Sequence, residues 1–349
     1  MKDIKPHLQK IYRHHMFLPI FALIVLLLFN LLKTPTFFNI TIQNGVLYGY
    51  IIDILNRGSE LVIIAIGMTL VVASSAGVDI SVGSVATVGG AVACTLLGEG
   101  ETFAIPYAAA FALCVLAGMA CGAFNGFLVS RIKIQPMIAT LILLTAGRGI
   151  AQLITKGQIA YVRDPSYKYL ASFVPGSPIP TSIMLAAFMV IITVVVLRFT
   201  ALGMYIQSVG INPKSSRLLG LNSNFIIFMC FLYSGLCSGV AGMLASSRVY
   251  SLDANNCCLN IELDAILSVA LGGNSLGGGK FSLAGSVVGA ITIQTLTTSL
   301  LAMRVSADQL PVFKAIVVII IVAIQSPELG RMIDGLKRKF VQAKGGVAA

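Results

Sequence analysis

Charged side chains are scarce in this chain. Only 11% of its 349 residues are Asp, Glu, Lys or Arg, whereas about 25% is usual for a soluble domain. Hydrophobic residues make up 57%, so the polar groups cannot cover the surface of a soluble protein of this length. The composition therefore predicts a membrane protein, and it excludes a disordered chain, a nucleic-acid-binding domain and a disulfide-stapled secreted fold.

Histidine is nearly absent, and the three that occur, His7, His14 and His15, all lie in the N-terminal tail. This distribution excludes a histidine-based catalytic triad or metal site within the apolar part of the chain. The seven cysteines contain no C-x-x-C pair, so neither a zinc site nor a dithiol site is indicated. We expect no catalytic residue, no metal site and no cofactor in this chain, which is therefore not an enzyme.

A nucleotide-binding loop is also lacking. The glycine-rich stretch at 272–280 ends in Gly279-Lys280, but the next residue is Phe281, where the phosphate-binding template requires Ser or Thr. The first glycine of that template is replaced by Asn274. The chain is not expected to bind ATP by itself.

Long apolar runs dominate the sequence. The first, residues 16–32, follows the basic tail and would be roughly 25 Å long as a helix, close to the hydrocarbon thickness of a bilayer. Further runs lie near 58–76, 83–98, 104–130, 135–155, 181–199, 225–247, 261–273, 282–303 and 311–327. They predict an all-α, polytopic bundle of about ten transmembrane helices. The run at 261–273 is short for a crossing and is also compatible with a broken or re-entrant helix.

The distribution of basic residues predicts the orientation. If the N-terminus is cytoplasmic, most of the 24 Lys and Arg residues fall on cytoplasmic segments, as the positive-inside rule requires. Both termini are then cytoplasmic. We divide the chain into a basic tail at 1–15, a transmembrane domain at 16–327 with a cytoplasmic segment at 200–222, and a C-terminal tail at 328–349.

Small residues recur at helical spacing in two of the apolar runs. The run at 104–130 contains Gly118, Gly122 and Gly126, and the run at 225–247 contains Gly235, Gly239 and Gly242. Small residues allow helices to approach closely where lipid supplies no hydrophobic driving force. They predict a compact bundle.

The segment predicted to be cytoplasmic, 200–222, contains the start and stop signals of a short helix. Asn212 can cap its start, Pro213 suits its first turn, and Gly220 suits its end. The enclosed turns place Leu218 and Leu219 beside Lys214 and Arg217. Such an amphipathic helix can lie on lipid headgroups or dock into a partner protein, and its chemistry alone leaves both possibilities open.

Charges within the apolar runs are candidates for functional sites, because burying them in a membrane is costly. Asp79 follows a glycine turn, where it can also cap the next helix. Glu262 and Asp264 stand where a run begins, and negative charge suits a helix N-terminus. Arg148 lies deeper, where we expect it to pair or to extend toward the surface.

Amide side chains occur in or beside several runs. They are Asn125, Gln135, Gln152, Asn274, Gln294 and Gln309. An amide offers both a donor and an acceptor and so suits a polyhydroxylated ligand. It equally serves as a hydrogen bond between helices, and the two functions cannot be separated at this stage.

In order along the chain, these residues resemble a known family over nearly the whole length. The matching phrases are Gly77-Val-Asp-Ile-Ser-Val-Gly-Ser84, Ala123-Phe-Asn-Gly126, Lys133-Ile-Gln-Pro-Met-Ile-Ala-Thr140, Gly147-Arg-Gly149, Ala201-Leu-Gly203, Gly210-Ile-Asn212, and Glu262-Leu-Asp264 with Gly272-Gly273. The chain resembles the permease subunits of bacterial ribose-type ABC importers, and among them the galactofuranose type. Asp53-Ile-Leu-Asn-Arg57 and Asp253-Ala-Asn-Asn256 carry the closer resemblance. One departure is Ala76-Gly77, where the family has a pair of glycines.

The resemblance implies a transport subunit in the bacterial inner membrane. A monosaccharide, best identified as galactofuranose, would be imported; ribose, another pentose or a nucleoside are alternatives. The implied partners are an ABC ATP-binding subunit that holds ATP and Mg, a second permease subunit (the same chain or a related one) and an extracytoplasmic sugar-binding protein. The resemblance also favours docking for the segment at 200–222.

The residues expected to couple the permease to the ATPase are Gly210, Asn212, Lys214, Arg217 and Gly220. Those expected to contact the substrate are Asp79, Asn125, Gln135 and Asn274. A more remote alternative is an ion-coupled secondary transporter. It would need a carboxylate relay in the bilayer, for which Asp79, Glu262 and Asp264 are the candidates.

Overall fold

The computed structural model describes residues 17–33, 35–43 and 46–325, and nearly all of the regular structure among them is helical. The tails predicted at 1–15 and 328–349 lie outside the described residues. The helices are α1 (Phe17–Lys33), α2 (Tyr50–Ser75), α3 (Val82–Leu97), α4 (Tyr107–Phe127), α5 (Pro136–Ile154), α6 (Thr181–Phe199), α7 (Leu202–Ile211), α8 (Pro213–Leu218), α9 (Ser223–Val249), α10 (Ile261–Leu271), α11 (Leu283–Ala302) and α12 (Leu310–Gln325). One turn of π-helix, Leu128–Ile132, continues α4.

Short strands and 3₁₀ turns complete the described part of the chain. The strands are β1 (Thr41–Gln43), β2 (Val46–Tyr48), β3 (Ala160–Tyr161) and β4 (Ser251–Leu252), and they pair antiparallel as β1 with β2 and β3 with β4. The 3₁₀ turns are Pro35–Phe38, Pro165–Leu170 and Ala307–Gln309. The pair of β3 and β4 ties the loop after α5 to the end of α9.

Each apolar run singled out in the sequence contains a helix. Among the described residues, six helices are long and apolar enough to cross a membrane by length and composition: α2, α4 with its π turn, α5, α6, α9 and α11. The clearest boundary difference is at α2, which begins at Tyr50 instead of near 58. Its first turns carry Asp53 and Arg57, which form an exposed ion pair one helical turn apart at 2.9 Å, so they extend the helix without adding hydropathy.

The core is built around α2 and α9. Most of α2 is buried, and it packs against α9, α11, α10, α6 and α7. The long helix α9 also packs against α3 and α4. In contrast, α5 and α6 expose most of their apolar side chains, as helices facing lipid or a second subunit do.

Glycines allow α4 and α9 to touch along their backbones. A Cβ atom on Gly118 would lie 2.4 Å from the carbonyl oxygen of Gly235, and one on Gly122 would lie 2.4 Å from that of Phe231. Neither distance is tolerable, so only glycine fits at these two positions. The prediction that the spaced glycines serve close packing is confirmed.

The helix α10 is short, as expected for the run at 261–273. Its 11 residues measure about 16 Å, much less than a bilayer core. It ends at a turn in which Gly273 has a φ of +78°, and the chain returns along α11. The carbonyl of Ser268 lies against Gly289, where a Cβ atom would be 2.1 Å away, so α10 and α11 form a tightly packed pair.

Candidate functional site

The short helix α8 forms where its capping residues predict it. The side chain of Asn212 caps it, since Oδ1 accepts hydrogen bonds from the backbone N–H groups of Lys214 and Ser215, both at 3.0 Å. Gly220 ends it with a φ of +85°, a conformation that favours glycine. Its N–H donates to the carbonyl of Arg217 at 3.0 Å. Both ends of α8 are therefore determined by local hydrogen bonds.

This helix is attached to the bundle on one side and exposed on the other. Ser223 at the start of α9 donates a hydrogen bond to the carbonyl of Pro213 at 2.9 Å, and Ser216 is buried. Leu218 and Leu219 are 89% and 81% exposed. Two adjacent leucines projecting from an anchored helix form an apolar knob that suits a protein partner.

Gly210 joins α8 to the core through α7. A Cβ atom at this position would lie 1.7 Å from the carbonyl oxygen of Ala73 near the end of α2. The backbones of α7 and α2 are therefore in direct contact. This point connects the segment that carries α8 to the most buried helix of the bundle.

A basic cavity lies beside α8. It has a volume of about 520 Å³ and is lined by residues of the α4–α5 turn and of α8, including Lys133, Gln135, Lys214 and Arg217. None of its described lining residues is acidic. The three ion pairs found among the described residues all lie elsewhere.

Two of these cations converge on one amide oxygen. Lys133 and Arg217 both donate hydrogen bonds to Oδ1 of Asn224. Partial desolvation and the nearby charges of Arg217 and Arg131 lower the pKa of Lys133 below its usual value. An anionic group in the cavity would relieve this repulsion, so the surface formed by the cavity and α8 (called the coupling surface below) is built for an acidic, partly apolar partner.

Asp79 lies in the interior, where it connects three elements. Its Oδ1 accepts hydrogen bonds from the backbone N–H and the hydroxyl of Ser81 at 3.0 and 2.6 Å, next to the start of α3. Its Oδ2 accepts one from Ser234 of α9 at 3.0 Å. Asn125 of α4 donates to the same Ser81 hydroxyl at 2.8 Å. Asn125 is completely buried, and its Oδ1 has no hydrogen-bond partner among the described residues.

Asn274 organises the turn between α10 and α11. Its Nδ2 donates to the carbonyl of Val269 at 3.0 Å and to the hydroxyl of Ser286 at 2.8 Å. Its Oδ1 accepts a hydrogen bond from the backbone N–H of Ser282 at 2.6 Å. These bonds hold the turn that lets α11 return along α10.

The four residues predicted for substrate contact therefore lie in three places. Asp79 and Asn125 share one buried cluster, and Asn274 belongs to the α10–α11 turn. Gln135 is exposed and lines the basic cavity with Asn212 and Arg217. The five residues predicted for coupling, in contrast, fall within one stretch that comprises α7, α8 and their flanking turns.

Arg148 organises a loop at the other end of the bundle. Its guanidinium donates to the backbone carbonyls of Ala254, Asn255 and Cys257 at 3.1 to 3.2 Å. The loop is also shaped by Asp253, whose pKa is lowered by hydrogen bonds from the backbone of Asn255 and the side chain of Asn256. Arg148 was expected to pair or to extend toward the surface, and in the structure its partners are backbone carbonyl oxygens.

Sequence reasoning missed a second polar region beside this loop. Glu60 of α2 and Arg248 of α9 form an ion pair at 2.8 Å, and Asp264 of α10 pairs with Lys314 of α12 at 2.7 Å. Glu60 and Ser75 are about 22 Å apart along α2, and Ser75 lines the basic cavity. The two polar regions thus lie at opposite ends of the bundle. The signal available in sequence was a pair of opposite charges inside two apolar helices.

One known protein family matches most of this chain. Residues 50–325 match the model of a family described as the permease component of branched-chain amino acid transport systems. This range begins with α2 and ends with α12, so it includes the two helices around which the core is built, the coupling surface and the second polar region. No solved structure matches the chain.

Three curated relatives span most of the chain. A galactofuranose transporter permease protein of Escherichia coli is 41% identical over 320 residues, which cover 91% of this chain and 92% of the relative. A fructose import permease protein of Bifidobacterium longum is 39% identical over 302 residues, or 85% and 83% of the two chains. A ribose import permease protein of Escherichia coli is 33% identical over 308 residues, or 87% and 92%.

Proposed function

The chain belongs to the family of permease components of branched-chain amino acid transport systems, and from this membership we propose that it is the membrane subunit of an ATP-binding-cassette importer for a monosaccharide. The observation that carries the proposal is its similarity, over most of its length, to three permeases that are each named for a sugar. Galactofuranose is the preferred cargo. Fructose, ribose, another pentose or a nucleoside are the alternatives within the class.

Energy for import comes from a separate subunit in this proposal. The sequence has no phosphate-binding loop, because the glycine-rich stretch ends in Lys280-Phe281. A partner ATPase therefore holds ATP and Mg. An extracytoplasmic binding protein delivers the sugar, and a second permease subunit, identical or related, completes the pore in the bacterial inner membrane.

The coupling surface receives the ATPase. Its exposed leucines, Leu218 and Leu219, support this function, as do Lys214 and Arg217, which form no ion pair with another described residue. Closure of the ATPase on ATP moves α8, and the contact between Gly210 and Ala73 passes that motion to α2. The bundle then changes the side to which it opens.

The topology follows from this placement of the ATPase. We assign ten crossings of the membrane, one of which is made by the short helix α10 together with the glycine-rich loop that follows it. Asp264 of α10 lines the cavity at one end of the bundle, and Gly279 of the loop contacts Ala73 at the other. The N- and C-termini are cytoplasmic, on the same side as α8. Asp79, Asn125 and Asn274 lie in the interior and are assigned to the path of the sugar, with Gln135 at its cytoplasmic end.

The rival mechanism, an ion-coupled carrier, requires carboxylates that exchange a proton or an ion. Among the hydrogen bonds of the described residues, none links Asp79 to Asp264: the first binds Ser81 and Ser234, and the second binds Lys314. Asp79 and Asp264 are therefore engaged by separate partners. Glu262, the third candidate, is buried with Oε2 lacking a hydrogen-bond partner among the described residues, so the measurement below decides between the two mechanisms.

Reconstitution distinguishes the two mechanisms. The permease is placed in liposomes with its ATPase and its binding protein, and uptake of labelled galactose, fructose and ribose is measured. Uptake is expected only with ATP inside the compartment that holds the ATPase, and it should persist when an uncoupler dissipates ion gradients. Uptake that stops with uncoupler alone, or that proceeds without the ATPase, would exclude the proposed function.

A further inference from the structure

A polar cavity lies between α2, α9, α10 and α11, at the end of the bundle opposite the coupling surface. Its volume is about 330 Å³, within the usual range for a small-molecule site. The polar residues that line it are Arg57, Glu60, Arg248, Asn256, Asp264 and Gln294. Such a concentration of polar groups in a chain with few charges points to a bound ligand.

Each of the three ion pairs found among the described residues has at least one member that lines this cavity. Arg57 and Asp53 form the outer pair, and their side chains are 54% and 45% exposed, so the cavity opens to the surface there. The pairs of Arg248 with Glu60 and of Lys314 with Asp264 lie deeper, with each side chain at most 22% exposed. The charges of the three pairs cancel.

The deeper carboxylates keep free acceptor atoms. Both hydrogen bonds from Arg248 to Glu60 end on Oε1, and Lys314 donates to Oδ2 of Asp264. Among the hydrogen bonds of the described residues, none ends on Glu60 Oε2 or on Asp264 Oδ1. Each carboxylate can therefore bind its cation and accept a further hydrogen bond at the same time.

Gln294 adds an amide that is little used by the protein. Its Nε2 makes one long hydrogen bond, 3.4 Å, to Thr298 of its own helix. Its Oε1 accepts no hydrogen bond from another described residue. The amide projects into the cavity with both a donor and an acceptor available.

These features select the chemistry of the ligand. A cation or an anion gains little from charges that already cancel. A neutral molecule with several hydroxyl groups can donate to the free carboxylate oxygens and accept from Arg57 and from the amide of Gln294. We infer that this cavity is a sugar-binding site of the permease, where the cargo is held on entry from the binding protein. The inference rests on the proposed function and on its orientation.

The principal test replaces Gln294 by leucine in the complete transporter, which is reconstituted with its ATPase and binding protein. Gln294→Leu keeps the size of the side chain and leaves every ion pair intact. Sugar binding is measured on the permease with its ATPase but without the binding protein, whose own sugar site would otherwise dominate the signal. We expect saturation-transfer NMR with galactose, fructose and ribose to show binding to the wild-type permease, and the variant to bind the imported sugar about tenfold more weakly. Gln158→Leu, in an exposed loop outside the cavity, is the matched control and should bind as wild type does.

A second variant blocks the cavity without removing a hydrogen bond. Leu259 lines it and is 52% exposed, so Leu259→Trp fills part of the volume at little risk to folding. Uptake should fall at least about tenfold. Galacturonate carries a negative charge and galactose does not. Because the charges around the cavity already cancel, galacturonate should bind the wild-type cavity more weakly than galactose does.

The results separate failure of the site from failure of the transport function. If the wild-type complex imports a sugar while Gln294→Leu and Leu259→Trp bind and transport it unchanged, the site is wrong and the proposed function stands. If the wild-type complex imports none of the sugars, the proposed function fails and the assignment of the cavity fails with it. Stronger binding of galacturonate than of galactose would also overturn the neutral-ligand assignment.

Discussion

Gly210 of α7 packs so closely on Ala73 of α2 that a Cβ atom at position 210 would lie 1.7 Å from the carbonyl oxygen of Ala73. The same oxygen accepts a hydrogen bond of 2.9 Å from the backbone N–H of Gly279, in the loop before α11. Backbone from three segments therefore meets at one point without a side chain between them. In the proposed mechanism, this contact passes a motion of α8 to the core.

Replacing this glycine tests the connection. Gly210→Ala forces α7 away from α2, and such overpacking lowers the free energy of unfolding by about 1–3 kcal/mol. We expect the transporter to assemble and hydrolyse ATP while uptake falls sharply, so that more ATP is consumed per sugar imported. The measurement is the ratio of ATP hydrolysis to uptake in proteoliposomes.

Gly149→Ala is the matched control for that experiment. Gly149 lies in α5, and a Cβ atom there would have no neighbour within 4 Å. The variant should leave both activities unchanged. Normal coupling in Gly210→Ala would contradict the transmission of motion through α7.

The exposed leucines of α8 make a second prediction. Leu218→Asp places a charge on a side chain that is 89% exposed, so the fold should be preserved. Binding of the ATPase subunit should weaken by about tenfold or more, because an apolar anchor at the centre of a contact is lost. The association can be measured with the purified permease in nanodiscs.

Leu218→Met serves as the conservative control, and it should retain most of the affinity. Thermal unfolding of the permease alone should be the same for wild type and both variants. Equal ATPase affinity for Leu218→Asp and wild type would show that α8 lies on lipid headgroups and not on a partner.

The basic cavity predicts an electrostatic component of the same association. Arg217→Glu reverses a charge beside Lys133 and should reduce ATPase binding by about tenfold, whereas Arg217→Lys should retain much of it. Affinity of the wild type should fall as salt concentration rises. A response in which Arg217→Glu binds normally, or in which salt has no effect, would exclude an acidic partner group in the cavity.

The pH dependence has a definite sign. The pKa of Lys133 is lowered by desolvation and by its two arginine neighbours, so this residue loses its charge at a lower pH than an ordinary lysine does. ATPase binding should therefore be complete while Lys133 is protonated and should weaken as pH rises through its lowered pKa. Lys133→Arg should remove this part of the pH dependence because arginine stays charged.

Local patterns in the sequence predicted much of this structure. The apolar runs located the helices, and Asn212, Pro213 and Gly220 located both ends of α8, because capping depends on neighbours within a few residues. The start of α2 was misplaced, since Asp53 and Arg57 interrupt its hydropathy while they stabilise its first turns. Hydropathy alone cannot distinguish an exposed helical turn from a loop.

Contacts between distant segments could not be predicted in the same way. Glu60 and Arg248 are 188 residues apart in the chain, and no local pattern states that they meet. Gln135 and Asn125 looked alike in sequence as amides at the ends of apolar runs. Gln135 is exposed at the coupling surface, whereas Asn125 is completely buried. Asn125 is buried because α4 packs against α9, a contact between distant segments that the local sequence does not predict.

The ion pairs of the polar cavity differ in their expected contribution to stability. Glu60→Ala leaves Arg248 without its carboxylate in a site where only 20% of its side chain is exposed, and we expect a loss of about 3 kcal/mol. Asp53→Ala breaks the exposed pair with Arg57 on the same helix, which should cost about 1 kcal/mol or less. Thermal unfolding in one detergent compares the two, and equal losses would contradict the difference in burial.

Asp79 provides the sharpest test against an ion-coupled mechanism. Asp79→Asn keeps an oxygen that can accept the hydrogen bonds from Ser81, so the free energy of unfolding should fall by only about 1 kcal/mol and ATP-driven uptake should continue. Asp79→Leu leaves the hydroxyl groups of Ser81 and Ser234 without their acceptor in the interior, and it should cost about 2–3 kcal/mol. A relay requires a carboxylate that can bind and release a proton, and asparagine cannot do so. If Asp79→Asn abolished uptake while thermal unfolding stayed near wild type, the charge of Asp79 would be part of the transport cycle. It would act as a sugar contact if wild-type uptake persists with an uncoupler, and the ion-coupled alternative would be favoured if wild-type uptake stops.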